Sequence, residues 1–148
     1  LPVHTAMREV PKIINRSMDQ VLDLGPTSNR KHFVVLEVLS NKELHLAIYS
    51  AKTGERRSMK LTSQTIRKAA VLETGDASFS TVWMQLADDQ HHIVQVDLPK
   101  LKIVASAFSS DLLVSVQNNP TNDSMVSMAT RNTLKLFEAK DGGLELTS

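Results

Sequence analysis

Hydrophobic and polar residues alternate over much of the chain, and this pattern predicts β-strands with one face in a core and the other in water. In 43–51, for example, leucine and isoleucine alternate with His45, Ala47 and Tyr49. Asn41-Lys42 and the segment 52–55 follow strands and are typical of hairpin turns. The predicted strands cover 32–39, 43–51, 56–61, 79–87, 91–98, 100–108 and 112–118.

Three other segments place hydrophobic residues three or four positions apart, which predicts helices. The first begins at Pro11, a residue well suited to the first helical position, and ends before Gly25. The second follows a Thr or Ser cap and covers 63–74. The third covers 125–140, for which a strand over 133–137 is the alternative.

This order of elements predicts an α+β fold. It comprises two antiparallel β-sheets of about four strands, each followed by a helix, packed as one domain that leaves one sheet face open. A chain of 148 residues suits a single core. We therefore expect one domain over 1–148, with an N-terminal helix or arm over 1–29, a core over 30–142 and a tail over 143–148.

Composition excludes several classes of site. With no cysteine, the chain cannot form disulfides, thiolate zinc sites or a cysteine nucleophile. No apolar run is long enough for a membrane-spanning helix, so we expect no membrane partner. No Ser-His-Asp ordering or glycine-rich phosphate loop stands out, so we expect no enzyme activity and no cofactor. Adjacent His91 and His92 point to opposite faces of a strand, so we expect no metal site there.

Basic residues are concentrated between Lys52 and Lys68, although the net charge is only +1. A solvated surface is the ordinary interpretation of such a run. The strand alternation adds that cationic and aromatic side chains share the water-facing side, which favours a single-stranded nucleic acid. The candidate nucleic-acid-binding residues are Arg56, Arg57, Lys60, Lys100, Lys102, His45, Tyr49, Trp83, Ser58, Gln85 and Lys52.

Such a face would bind the phosphate backbone of single-stranded RNA or DNA in any sequence. Its affinity would fall as salt rises, because neutralised phosphates release condensed counterions. Arginine matches phosphate with a planar fork, so Arg56 and Arg57 are the expected anchors. Bases left pointing outward would be available for annealing.

Two segments of the chain resemble a known family. Residues 57–66 run from a strand into the second predicted helix, and residues 112–119 precede a polar break and the last one. Together they resemble the Whirly-fold single-stranded nucleic-acid-binding proteins, in particular the kinetoplastid mitochondrial guide-RNA-binding proteins. The Lys-Gly-Lys-Ala motif of plant Whirly proteins is not found in this chain. The resemblance implies a homo- or hetero-oligomer, with a tetramer favoured, a mitochondrial location, and a role in RNA editing through annealing of guide RNA.

The alternative function is a protein-interaction module without a nucleic-acid role. Residues 48–54, 96–100 and 136–142 each resemble an outer propeller strand with its turn, at separations of about 40 to 50 residues. Three propeller blades do not close a ring, so this architecture would require further chain or partners.

Overall fold

The computed structural model describes residues 18–72, 74, 77–109, 113–119, 122–130, 134–140 and 143–146. Within these residues every regular element is a β-strand. In this part of the chain no helix is long and apolar enough to cross a membrane. The strands are β1 Met18–Pro26, β2 His32–Leu39, β3 Leu44–Ser50, β4 Arg56–Thr62, β5 Ile66–Leu72, β6 Phe79–Leu86, β7 His91–Asp97, β8 Lys102–Ser109, β9 Leu113–Asn119, β10 Asn122–Thr130, β11 Leu134–Lys140 and β12 Gly143–Leu146.

These strands form three antiparallel sheets of four strands each, and each sheet uses consecutive strands. Sheet A contains β1 to β4, sheet B contains β5 to β8, and sheet C contains β9 to β12. The sequence alternation correctly predicts β2, β3, β4, β6, β7, β8 and β9 to within a few residues. The turns at Asn41-Lys42 and 52–55 are confirmed as the β2–β3 and β3–β4 connections.

The prediction of an α+β fold is wrong, and β5 shows why. Ile66 lies opposite Leu86 and Ala69 lies opposite Met84, so three steps along β5 match two steps along β6. A β-bulge before Lys68 supplies the extra residue. Two apolar residues three apart therefore share one face of a strand, and this spacing is the one that predicts a helix.

Strand β1 repeats this effect within the first predicted helix. Met18 lies opposite Leu39 and Val21 lies opposite Glu37, with a register shift between Met18 and Gln20. A spacing of three is again produced by a bulged strand. Residues 11–17 of that predicted helix lie outside the described residues.

The predicted C-terminal helix over 125–140 is also wrong. This stretch forms strands β10 and β11, and Val126 lies opposite both Phe137 of β11 and Asn118 of β9. The alternative of a strand from Thr133 largely coincides with β11, although Thr133 itself is not among the described residues. Short apolar runs fit both periods, and here pairing on both sides makes the segment a strand.

The main core lies between sheets A and B. Apolar residues of β2 and β3 pack against those of β6 and β7 in one buried cluster. Full burial of one such side chain contributes about 1.5 to 3 kcal/mol, so each sheet depends on the other. The buried members are Val34, Leu36, Leu44, Leu46, Ile48, Ala69, Val82, Met84, Val94, Val96 and Leu98.

The first strands of the sheets lie side by side, with β5 in contact with both β1 and β9. Asp23 joins β1 to β5, because its Oδ2 accepts a hydrogen bond from the backbone N–H of Val71 at 2.8 Å. Sheet C also contacts β8 through β11 and β12. The face of sheet B that points away from sheet A is buried as well, as Thr81, Ile93 and Ala105 show. The three sheets are thus stacked side by side, with sheet B in the middle.

Three turns between strands close in the same way. In each, a side-chain oxygen of Asn or Asp accepts a hydrogen bond from the backbone N–H two residues later, and the residue between them has a positive φ. Such side-chain bonds replace a backbone partner within the turn. The pairs are Asn29 and Arg30 (3.0 Å, φ 58°), Asn41 and Lys42 (3.1 Å, φ 69°), and Asp88 and Asp89 (3.1 Å, φ 66°).

Candidate interaction surface

The ends of the sheets, where the turns lie, form two surfaces. The β1–β2 and β3–β4 turns lie at one end, where the backbone N–H of Ala51 donates to the carbonyl of Lys31 at 2.9 Å. At the other end, the backbone N–H of Ala87 in the β6–β7 turn donates to the carbonyl of Thr65 at 3.0 Å. Neighbouring turns therefore form continuous surfaces at both ends.

One of these surfaces carries exposed cationic side chains and is called the basic end below. At this end sheet A contacts sheet B directly, because Nη2 of Arg57 on β4 donates a hydrogen bond to the carbonyl of Pro99 in the β7–β8 turn at 2.8 Å. The exposed acidic side chain of Glu55 and the half-buried one of Asp97 lie among the cations. The residues of the basic end are Arg30, Lys31, Lys52, Arg57, Lys100 and Lys102.

The charges of the basic end are not neutralised by ion pairs within the described part of the chain. The ion pairs found there join Arg56 to Glu37, Lys60 and His45 to Glu43, and Arg67 to Asp89. None of them includes a residue of the basic end. An exposed surface with an excess of one sign of charge creates a field that attracts oppositely charged molecules.

The opposite end has charges of both signs that pair with each other. Arg67 Nη1 lies 2.7 Å from Asp89 Oδ1, and Lys60 Nζ lies 3.7 Å from Glu43 Oε2. The pKa of Glu43 is lowered, first by its hydrogen bond with His45 and also by the nearby Lys60. This end therefore offers less uncompensated charge to a partner.

The face of sheet A that points away from sheet B holds a buried polar network. Glu37 is 0% exposed, and its two oxygens accept hydrogen bonds from the Tyr49 hydroxyl at 2.5 Å and from Arg56 Nη2 at 2.6 Å. Burial, together with Glu37, raises the pKa of Tyr49. Burial alone would lower the pKa of Arg56, but the hydrogen bonds and charges of Glu37 and Tyr49 together outweigh it and raise that pKa. Tyr49 and Arg56 thus hold this sheet together through Glu37.

Trp83 lies on sheet B, on the face that points away from sheet A. Its Nε1 donates a hydrogen bond to Nδ1 of His91 at 3.2 Å, and the two rings are nearly parallel. Burial lowers the pKa of His91, and the charge of Asp89 acts in the opposite direction without reversing the shift. Gln85 on the same strand donates to Asp89 at 3.5 Å. Trp83 is therefore not a neighbour of Tyr49.

The structure divides the candidate residues from the sequence among three places. Lys52, Arg57, Lys100 and Lys102 come together at the basic end. Trp83 and Gln85 lie on sheet B. The remaining candidates share the Glu37-bearing face of sheet A, as their cross-strand register shows: His45, Tyr49, Arg56, Ser58 and Lys60.

Sequence reasoning missed two features. Arg30 and Lys31 belong to the basic end, and their signal was the Ser28-Asn29 turn pair between two strands. Phe108 is 59% exposed, and its ring stacks on His92 with centroids 3.9 Å apart. No alternation argument identifies this pair, because Phe108 lies on a strand whose register is shifted by a bulge. Among the residues with described positions, no group of three or more His, Asp or Glu is arranged to hold a metal ion.

Comparisons with known proteins give the fold. No protein-family model matches the chain, and no curated protein matches it. It is similar to the crystal structure of the WD40 repeats of RRP9, with a TM-score of 0.66 at 6% identity over 89% of this chain and 39% of that one. It is similar to the β-propeller domain of Cps50 (Swd1) from Myceliophteria thermophila, with a TM-score of 0.63 at 11% identity over 81% of this chain and 34% of that one. It is also similar to the WD40 domain of Toxoplasma gondii coronin, with a TM-score of 0.58 at 13% identity over 86% of this chain and 34% of that one.

These neighbours correct the expectations about family and function. The resemblance to Whirly proteins is wrong, and so are the expectations of RNA binding, guide-RNA annealing and RNA editing that went with it. The physical reason is burial, because the sheet faces on which RNA would have been placed hold buried side chains such as Tyr49 on sheet A (2% exposed) and Thr81 on sheet B (0% exposed). The chain spans between a third and two-fifths of the solved structures described above. At these identities the likeness establishes the fold alone: the chain consists of four-stranded sheets similar to those of β-propellers.

Proposed function

We propose that this chain is a protein-interaction module built from propeller-like sheets. The stacking of sheets A and B supports this function. Their facing surfaces are used for the core, and the turns at the two ends are surfaces that remain open to another molecule. The WD40-like neighbours favour the same function, which is the alternative that the sequence leaves open.

The observation that carries the proposal is the continuity of the basic end. The contact of Arg57 with Pro99 joins sheet A to a turn of sheet B, and that of Ala51 with Lys31 joins two turns within sheet A. A surface composed of several rigidly held turns suits recognition, because binding residues on loops are positioned by the scaffold behind them. The surface is also broader than any single turn, as a protein partner requires.

An immobilised library of synthetic peptides of varied charge and hydrophobicity tests this function. We expect the purified, labelled chain to bind a reproducible subset of peptides and to discriminate them from scrambled versions of the same composition. The matched control is Leu46→Asp, which places a charge in the buried core and unfolds the sheets. Binding that persists in this variant, or an absence of discrimination between peptides and their scrambled versions, would contradict the proposal.

A further inference from the structure

We infer that the basic end docks an acidic segment of a protein partner, an inference that rests on the proposed function. The cations of this end lie in three turns or next to them. Lys31 and Lys52 are neighbours through the hydrogen bond of Ala51 to the Lys31 carbonyl. Arg57 contacts Pro99, and Lys100 is the next residue of that turn. Positive charge is therefore present on both sheet A and sheet B at this end.

The basic end is also held in place by its own hydrogen bonds. Asn29 accepts hydrogen bonds from the Thr27 hydroxyl at 2.8 Å and from the Lys31 backbone at 3.0 Å. The backbone N–H of Lys100 donates to Asp97 Oδ1 at 2.9 Å. Because these turns have a fixed shape before binding, less conformational entropy is lost when a partner is bound.

The chemistry of the basic end favours carboxylates over a nucleic acid. Single-stranded nucleic acids bind to cationic surfaces that also offer aromatic rings on which bases stack. The turns at 27–31, 51–55 and 98–101 contain no aromatic residue. Tyr49 is engaged with Glu37, and Trp83 is engaged with His91 on another face. An acidic peptide needs only the charges that this surface provides.

The two ends of the sheets differ in how far their cations are already paired. At the opposite end, Arg67 and Lys60 already pair with Asp89 and Glu43. Most of the exposed cations that remain without an ion pair in the described residues therefore belong to the basic end. An acidic segment should approach and bind at that end, with an association rate that falls as salt rises.

Fluorescence anisotropy with a labelled peptide of alternating glutamate and serine tests this inference. In Lys52→Glu/Lys100→Glu, we expect affinity for the peptide to fall about tenfold, because two attractive contacts become repulsive. The matched control is Lys42→Glu/Lys68→Glu, which has the same net charge but carries its changes away from the basic end. Its affinity should stay within about twofold of the original chain. In Glu55→Gln, loss of the acid within the basic end should raise affinity about twofold.

Two companion probes separate the outcomes. The glutamine counterpart of the peptide should bind weakly, and an oligouridylate of equal length should bind less tightly than the acidic peptide. Equal losses in the two double variants, or tighter binding of the oligouridylate, would overturn the inference. If library peptides are bound but the glutamate peptide is not, the acidic-partner inference fails while the interaction function stands. If no library peptide is bound, the interaction function fails as well.

Discussion

At the scale of single residues, His91 is a buried histidine whose role depends on its protonation state. Its Nδ1 accepts a hydrogen bond from Trp83, which requires that this nitrogen carries no proton. Burial lowers the pKa of His91 below its ordinary value of 6.5. The neutral ring is therefore the form that the folded chain favours.

This arrangement predicts a loss of stability in acid. The unfolded chain binds a proton at His91 at a higher pH than the folded chain does, so the free energy of unfolding falls as pH drops from 6.5 towards the lower folded pKa. Burial lowers the pKa of His92 as well, which adds to the effect with the same sign. Urea unfolding at a series of pH values measures the slope, which should be smaller in His91→Gln.

A native-state signal gives an independent control for this prediction. Trp83 is the only tryptophan of the chain, so its fluorescence reports on the ring of His91. The fluorescence should change with a midpoint below pH 6.5, and His91→Gln should lack this transition. A midpoint at or above 6.5, or one that the variant retains, would show that the Trp83 bond does not favour the neutral ring.

Sequence alternation predicts which residues share a face of a sheet, but it does not predict which side chains from different strands form hydrogen bonds. It places His45, Tyr49 and Arg56 on one face of sheet A, which is confirmed by the cross-strand register. It gives no sign that Glu37 accepts from both Tyr49 and Arg56, because the Arg56 contact joins residues 19 positions apart. Residue types show which side chains can form a hydrogen bond or an ion pair. The register of the strand between them determines which of these contacts form.

At the scale of elements, bulges and turns determine where sequence patterns succeed. The bulges of β1 and β5 give apolar residues a spacing of three and so imitate a helix. The strands β3 and β7 keep an unshifted register with the strands that precede them, and they are predicted directly. A bulge is fixed by pairing with the next strand, so a pattern within one strand cannot reveal it.

The β1–β2 turn allows a prediction about backbone strain. Arg30 has a φ of 58°, a conformation that costs a non-glycine residue about 1 to 2 kcal/mol. Arg30→Gly should therefore raise the free energy of unfolding, by about 0.5 to 1 kcal/mol once the flexibility of glycine in the unfolded chain is included. Chemical denaturation measures the change.

A second variant in the same turn should act in the opposite direction. Asn29→Ala removes the acceptor of two hydrogen bonds, from Thr27 and from the Lys31 backbone. We expect this variant to lose about 1 kcal/mol of stability. A loss of stability in Arg30→Gly would show that the side chain of Arg30 contributes more to the fold than its backbone strain costs.

At the scale of the whole molecule, sheets A and B share one core. Leu46 of sheet A belongs to the same buried cluster as Val94 of sheet B, and neither side chain is exposed. Leu46→Ala should therefore lower the free energy of unfolding by about 2 to 5 kcal/mol. Hydrogen exchange should accelerate in β7 as well as in β3, because the two sheets lose the same support. Acceleration confined to sheet A would indicate that the sheets unfold separately.

The repeated segments hold the information about architecture that the sequence contains. Residues 48–54 and 96–100 span the end of a third strand and the turn to the fourth in sheets A and B, and 136–140 ends the third strand of sheet C. Their recurrence predicts the propeller-like organisation. The helix-like spacing of apolar residues in β1, β5 and β10 obscures this organisation. Each of these segments is a strand of a repeated sheet, but its pattern predicts a helix.

The self-closed turns have a consequence for how such a chain could diversify. Asn29, Asn41 and Asp88 fix the shape of their loops with local bonds, without using the core. Exposed loop residues beside these anchors can therefore be exchanged with little effect on folding. Grafting new sequences at these tips should redirect binding specificity while the stacked framework stays intact, which makes the chain a scaffold for engineered recognition.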